Sequence, residues 1–153
     1  GAVLDPIRNE LFYAEKSKGA VLDNKPIKVS ETRDVSSCLL ATGFPFRAKH
    51  LTGLYFEAFI KLFHQVADFR RAGAAALDLA YIACGRLDGF WELTLNAWDI
   101  AAGALLIEEA GGRVSDIWGG NSHLQTGHIV ASNGRIHDKI IDVVAQVFKN
   151  LDI

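Results

Sequence analysis

The chain has 153 residues, half of them apolar, with 16 basic and 18 acidic side chains and a net charge of −2. That length supports one domain with a real core, and the near-neutral balance excludes binding to nucleic acid or a membrane surface by charge alone. No apolar run approaches the ~18 residues a membrane-spanning helix needs, and the first residues carry no basic stretch followed by an apolar one.

Residues 1–30 read as β structure. Ala2–Leu4, Leu11–Ala14, Ala20–Leu22 and Ile27–Val29 are short apolar runs separated by turn chemistry at Asp5–Asn9, Lys16–Gly19 and Asp23–Pro26. Short strands joined by close turns mean an antiparallel meander. Gly1-Ala2-Val3-Leu4 reads as the middle of a strand, so further sequence upstream is expected.

The pattern then changes. Cys38–Ala41 is a short apolar strand ended by Gly43 and Pro45. Leu51–Val66 carries apolar residues at helical spacing. A strand over Phe69–Ala72 leads into an Ala- and Leu-rich helix, Ala74–Cys84, closed by Gly85. Gly89–Leu93 reads as a strand, Ala97–Ala110 as a helix stopped by Gly111-Gly112, and Arg113–Ser115 and His128–Ser132 as strands. Asn133 is positioned to cap a final amphipathic helix running to about Asn150. Strands alternating with helices of this length predict an α/β fold: a mixed, mainly parallel sheet covered by helices and preceded by antiparallel strands. The switch near residues 30–36 divides the chain into 1–35 and 36–153.

Two cysteines, Cys38 and Cys84, lie far apart within apolar segments and read as buried free thiols, which fits a reducing, cytoplasmic setting. The five histidines, His50, His64, His123, His128 and His137, show no zinc-like spacing. They read as structural or surface residues, with His64 in a helix and His50 and His123 in loops. Glu108, Glu109, Asp138 and Asp142 read as solvated helix faces.

Three places carry candidate chemistry. Asp99 stands in the first turn of a helix, where positive partial charge keeps a carboxylate ionised and suits it to a hard cation. The small residues behind it, Ala101, Ala102 and Gly103, allow close packing against a neighbouring sheet. Glu92 ends an apolar strand seven residues earlier, and the junction of strand end, loop and helix start is where open α/β sheets place ligands. Gly73-Ala74-Ala75 opens a helix after a strand, leaving backbone N–H groups available to an oxygen ligand. Each has a plainer alternative: a helix-terminus acid, a loop acid, a tight turn.

Trp98-Asp99-Ile100-Ala101-Ala102-Gly103 followed by Glu109-Ala110-Gly111-Gly112 resembles the C-terminal signature of the inositol monophosphatase family, and the rest agrees in order. Asp5–Phe12 is similar to that family's hairpin, Ala41–Arg47 to its bacterial members, and Asp68–Tyr81 and Gly85–Glu92 to its substrate region. The resemblance implies the second half of a layered α-β-α-β-α sandwich and a lithium-sensitive, Mg²⁺-dependent hydrolysis of inositol-1-monophosphate. In it Asp99 is a metal ligand, Glu92 accepts hydrogen bonds from inositol hydroxyls, and Gly73, Ala74 and Ala75 line the polyol site. A homodimer is implied, with Arg70-Arg71 in a candidate interface, and so is a partner in the transcription machinery. Fructose 1,6-bisphosphate and 3′-phosphoadenosine 5′-phosphate are alternative substrates, and a non-catalytic protein-binding module is an alternative role.

Two departures stand out. Ala74 occupies a position where relatives often carry Ser or Thr. The family's Asp-Pro-x-Asp-Gly-Thr motif for metal and phosphate is absent, since Asp5-Pro6-Ile7-Arg8 places an arginine where the second acid belongs. The chain alone is therefore expected to be inactive, with further Mg²⁺ ligands coming from upstream.

Overall fold

The computed structural model describes residues 1–151. The first sheet is a meander of β1 (Ala2–Asp5), β2 (Glu10–Glu15), β3 (Gly19–Leu22) and β4 (Lys25–Pro26), all antiparallel and in chain order. Alternation sets its two faces: Phe12 and Ala14 are buried, whereas Leu11 and Tyr13 point outward and are about half exposed. The β3–β4 link is a two-residue turn through Asp23 and Asn24, both at positive φ, which matches the twist of the flanking strands. The predicted strand at Ile27–Val29 does not form. Pro26 ends the ladder, and only single backbone bonds, Ile27 N–H to Ala20 O and Val29 N–H to Ala110 O, fasten the segment that follows.

The second sheet contains β5 (Leu39–Thr42), β6 (Asp68–Arg70), β7 (Gly89–Glu92), β8 (Arg113–Ser115) and β9 (Ile129–Ser132), in the order β6-β5-β7-β9-β8. β5, β6 and β7 pair in parallel, and β9 runs against both of its neighbours, so four strands share one direction. The expected mixed, mainly parallel sheet is the one observed. Its inner strands β5, β7 and β9 are mostly apolar because both faces are covered, while the edge strands β6 and β8 carry charged residues. Ala41, Phe90, Ile129 and Ala131 face one cluster, and Leu40, Trp91 and Val130 face the other.

Among the described residues five α-helices complete the fold: α1 (Thr52–Phe63), α2 (Ala75–Ala83), α3 (Ala97–Glu109), the short α4 (His123–Thr126) and α5 (His137–Val147). α2 and α3 lie between the sheets, where Val3 and Phe12 of the first sheet join Leu79, Ile82, Ile100 and Phe90 in one core. α1 and α5 cover the opposite face of the second sheet through Tyr55, Leu62, Ile140 and Val144. The layers thus run β-α-β-α.

Gly103 lets α2 and α3 touch closely: a Cβ there would lie 2.5 Å from that of Leu79. Gly103 thus meets a helix, while Ala102 lies against Gly1 at the start of the first sheet, so the small residues admit both the neighbouring helix and the neighbouring sheet. α5 also starts later than its sequence implies. Asn133 Oδ1 accepts from the Arg135 and Ile136 amides and shapes the approach, but the first helical residue is His137.

Two polar devices tie the layers together. Tyr81 of α2 donates its hydroxyl to Asp5 (2.8 Å), Arg8 reaches both groups, and Arg86 makes a two-pronged pair with Glu10 at 2.6 Å each. Hydrogen bonds from the Arg8 amide and then from the Tyr81 hydroxyl hold the Asp5 carboxyl down to about 2. Inside the second sheet, the fully buried His137 sets Nε2 2.9 Å from Ser115 Oγ of β8 and Nδ1 3.0 Å from Ser132 Oγ of β9.

Candidate functional site

β5 and β7 are parallel neighbours and end side by side at Thr42 and Glu92. Thr42 Oγ1 donates to the Trp91 carbonyl (2.7 Å) and lies 3.0 Å from the Tyr55 hydroxyl, locking both strand ends to α1. Beyond them opens a cavity of about 260 Å³, walled by the starts of α2 and α3 and by Arg47 and Arg71. Its place at the carboxyl ends of parallel strands is the ligand position of open α/β sheets.

All five residues singled out in the sequence, Gly73, Ala74, Ala75, Glu92 and Asp99, line this one cavity. Gly73 adopts φ +96°, a turn that sends the chain from β6 into α2. Ala74 is the N-cap and has no side-chain acceptor, so the first N–H groups of α2 remain open to the cavity. Glu92 is 6% exposed and sits against Gly43. A Cβ at position 43 would lie 2.1 Å from the Glu92 carboxyl carbon, so only glycine leaves that carboxylate its place. Burial pushes the Glu92 carboxyl up to about 7; Arg71 opposes this, and Asp78 and Asp99 add to it.

Asp99 is held by a capping box: its Oδ2 accepts from the Asn96 amide (3.0 Å), and Arg47 approaches the same oxygen at 3.5 Å. The plainer reading of Asp99 is thus part of the truth, since it fastens its own helix. Its Oδ1 accepts nothing among the described residues and remains free for a ligand.

Asp78, Arg71 and Arg47 also line the cavity, although the sequence gives none of them a site role and assigns Arg71, with Arg70, to a candidate interface. Asp78 sits one turn into α2, is 2% exposed, and reaches the same cavity; burial raises its carboxyl to about 7, against the pull of Arg71. One signal was available, because Asp78 is the sole charged residue between Ala74 and Cys84. Arg71 also stacks its guanidinium 5.2 Å from the centre of the Phe44 ring.

Elsewhere two readings change. Glu109 is not a solvated face: its carboxylate accepts from the Ser17 and Gly19 amides, pinning the β2–β3 turn to α3. His123 is not in a loop but opens α4, where it is buried. Cys38 is a buried free thiol as expected, and Cys84 is half-buried. Among the described residues no three His, Cys, Asp or Glu side chains converge as a metal site. Asp99 fits a cation as a single ligand, and the residues present do not complete a coordination shell.

The fold and cavity define a layered α/β protein with an oxygen-lined cleft at its strand ends. The profile of the inositol monophosphatase family matches residues 1–149, and the chain belongs to that family. It is 54% identical over 134 residues to the Nus factor SuhB of Escherichia coli K12, a match covering 88% of this chain and 50% of that protein. The Pseudomonas aeruginosa Nus factor SuhB is 48% identical over 144 residues, covering 93% and 53%. The chain thus spans about half the length of the curated relatives it matches. Among solved structures, the suhB protein of Bartonella henselae superposes with a TM-score of 0.90 at 42% identity, covering 94% of this chain and 55% of that one. Inositol monophosphatase from Anabaena gives the same score and identity, with 95% and 58% covered. No helix among the described residues is long and apolar enough to cross a membrane.

Proposed function

We propose that this chain is the polyol-binding part of a Mg²⁺-dependent phosphomonoesterase acting on inositol monophosphate or a related sugar phosphate. The observation that carries the reading is the convergence of Glu92, the open start of α2 and Asp99 on one cavity at the strand ends. Glu92 accepts from substrate hydroxyls, and the Ala75 and Ala76 N–H groups at the start of α2 orient substrate oxygens. Asp99 contributes one metal ligand through Oδ1, while its Oδ2 keeps the α3 start in register. Bound Mg²⁺ supplies charge neutralisation and an activated water in such hydrolysis, and its other ligands come from outside this chain. The chain by itself is accordingly inactive. The reading also includes a cytoplasmic homodimer.

The test is phosphate release from inositol 1-phosphate by the full-length protein, with and without Mg²⁺, beside the isolated chain. Mg²⁺-dependent release by the former alone is expected; none from the full-length protein refutes the reading. The names of the 54%-identical relatives support a second role, docking on transcription machinery. Retention of that role in an Asp99→Asn variant without phosphatase activity would separate the two.

A further inference from the structure

Asp78 has no local task. No first-turn N–H of α2 is capped by a side chain, Asp78 included. Neither of its side-chain oxygens accepts a hydrogen bond from a described residue, although the side chain is 98% buried. The same holds for Glu92. A buried carboxylate without a donor is costly, and the donors must then come from what occupies the cavity.

Asp78 stands four positions after Ala74, which places them on one face of α2 along the cavity wall. Ala74 presents only a methyl, and Asp78 is the first polar side chain above it. Across the cavity floor stands Glu92, and Arg71 is the cation that faces both acids. A phosphate is repelled by this pair. Asp99 lines the same cavity, but among the described residues it does not converge with the pair closely enough to hold a second metal ion. Hydroxyl groups suit the pair, because each can donate to one carboxylate without adding charge.

Resting on the phosphomonoesterase reading, we propose that Asp78 is a specificity-determining residue that accepts a hydrogen bond from one substrate hydroxyl while Glu92 accepts from its neighbour. Burial raises both carboxyls to about 7, so near neutrality the pair retains part of its protons. Such a floor both accepts and donates, as hydroxyls do.

The experiment compares wild type, Asp78→Ala, Asp78→Ser and Asp78→Asn in the full-length protein, with a cyclitol monophosphate and p-nitrophenyl phosphate as substrates. In Asp78→Ala the ratio of kcat/KM for the cyclitol ester to that for the aryl ester should fall at least tenfold, chiefly through a higher KM for the cyclitol ester. Asp78→Asn keeps an acceptor oxygen and should hold the ratio within about threefold of wild type. If Asp78→Ala fails to fold, Asp78→Ser should show the same fall. An unchanged ratio in the truncated variants, or equal losses on both substrates, overturns the assignment of Asp78 and leaves the phosphatase reading standing. A wild type that hydrolyses neither substrate overturns both.

Discussion

His137 offers a sharp test of how the second sheet is held. Its ring is fully buried between Ser115 and Ser132, with both nitrogens engaged. Burial first, and Arg113 second, depress its pKa from the ordinary 6.5 to about 4, with Asp138 pulling the other way. The folded state therefore prefers the neutral ring, while the unfolded chain takes up a proton below pH 6.5. The stability due to this residue is complete above pH 6.5 and is lost as pH falls towards 4. The shift corresponds to roughly 3 kcal/mol in full, of which roughly 2 kcal/mol is gone by pH 5. Asp78 and Glu92, with raised pKa values, change stability in the opposite direction over this range and would mask the effect in wild type alone. The comparison with His137→Gln removes them, since both proteins share those acids. Urea unfolding of the full-length protein, followed by tryptophan fluorescence, should show the advantage of wild type over His137→Gln shrinking by about 2 kcal/mol between pH 8 and pH 5. An advantage that is the same at both pH values would refute the buried, neutral imidazole.

Asp99→Asn in the full-length protein should lower Mg²⁺-dependent turnover by roughly 10³-fold or more. Its thermal midpoint should hardly move, because the amide oxygen still accepts from Asn96; near-normal turnover at low Mg²⁺ would return Asp99 to a purely helix-fastening role. Gly103→Ala should destabilise the fold by about 1–2 kcal/mol despite better helix propensity, since the new methyl meets Leu79. A melting curve showing equal or greater stability would contradict the close α2–α3 contact.

The sequence made the order and type of most elements readable, because local signals agreed with their final environments. The mostly apolar runs of β5, β7 and β9 announced a sheet covered on both faces, and Gly85 and Gly111 marked helix ends. Asp99 and Glu92 were legible because each stands at an element boundary. Asp78 was not, since its meaning comes from the cavity above α2 and not from its helical neighbours. The same is true of Glu109, which contacts a turn some ninety residues away in the chain. Ile27–Val29 looked like a strand by composition, but single backbone bonds to Ala20 and Ala110 take the place of a ladder there. Arg71 stood out only as half of the Arg70-Arg71 pair; the packed structure sets it near two acids.

α2 spans nine residues, or about 13 Å. Its first turn is a wall of the cavity, and its last turn carries Tyr81, bonded to Asp5, with Arg86 just beyond it clasping Glu10. The helix is thus a rigid strut with one foot in the ligand cleft and the other braced on the tip of the first hairpin. Gly103 presses it against α3, which leaves it little freedom to tilt independently. Displacing the hairpin means either breaking that ionic brace or dragging Gly73, Ala74 and Asp78 along with it. The antiparallel sheet, which contributes no residue to the cleft, is in this way mechanically geared to its shape.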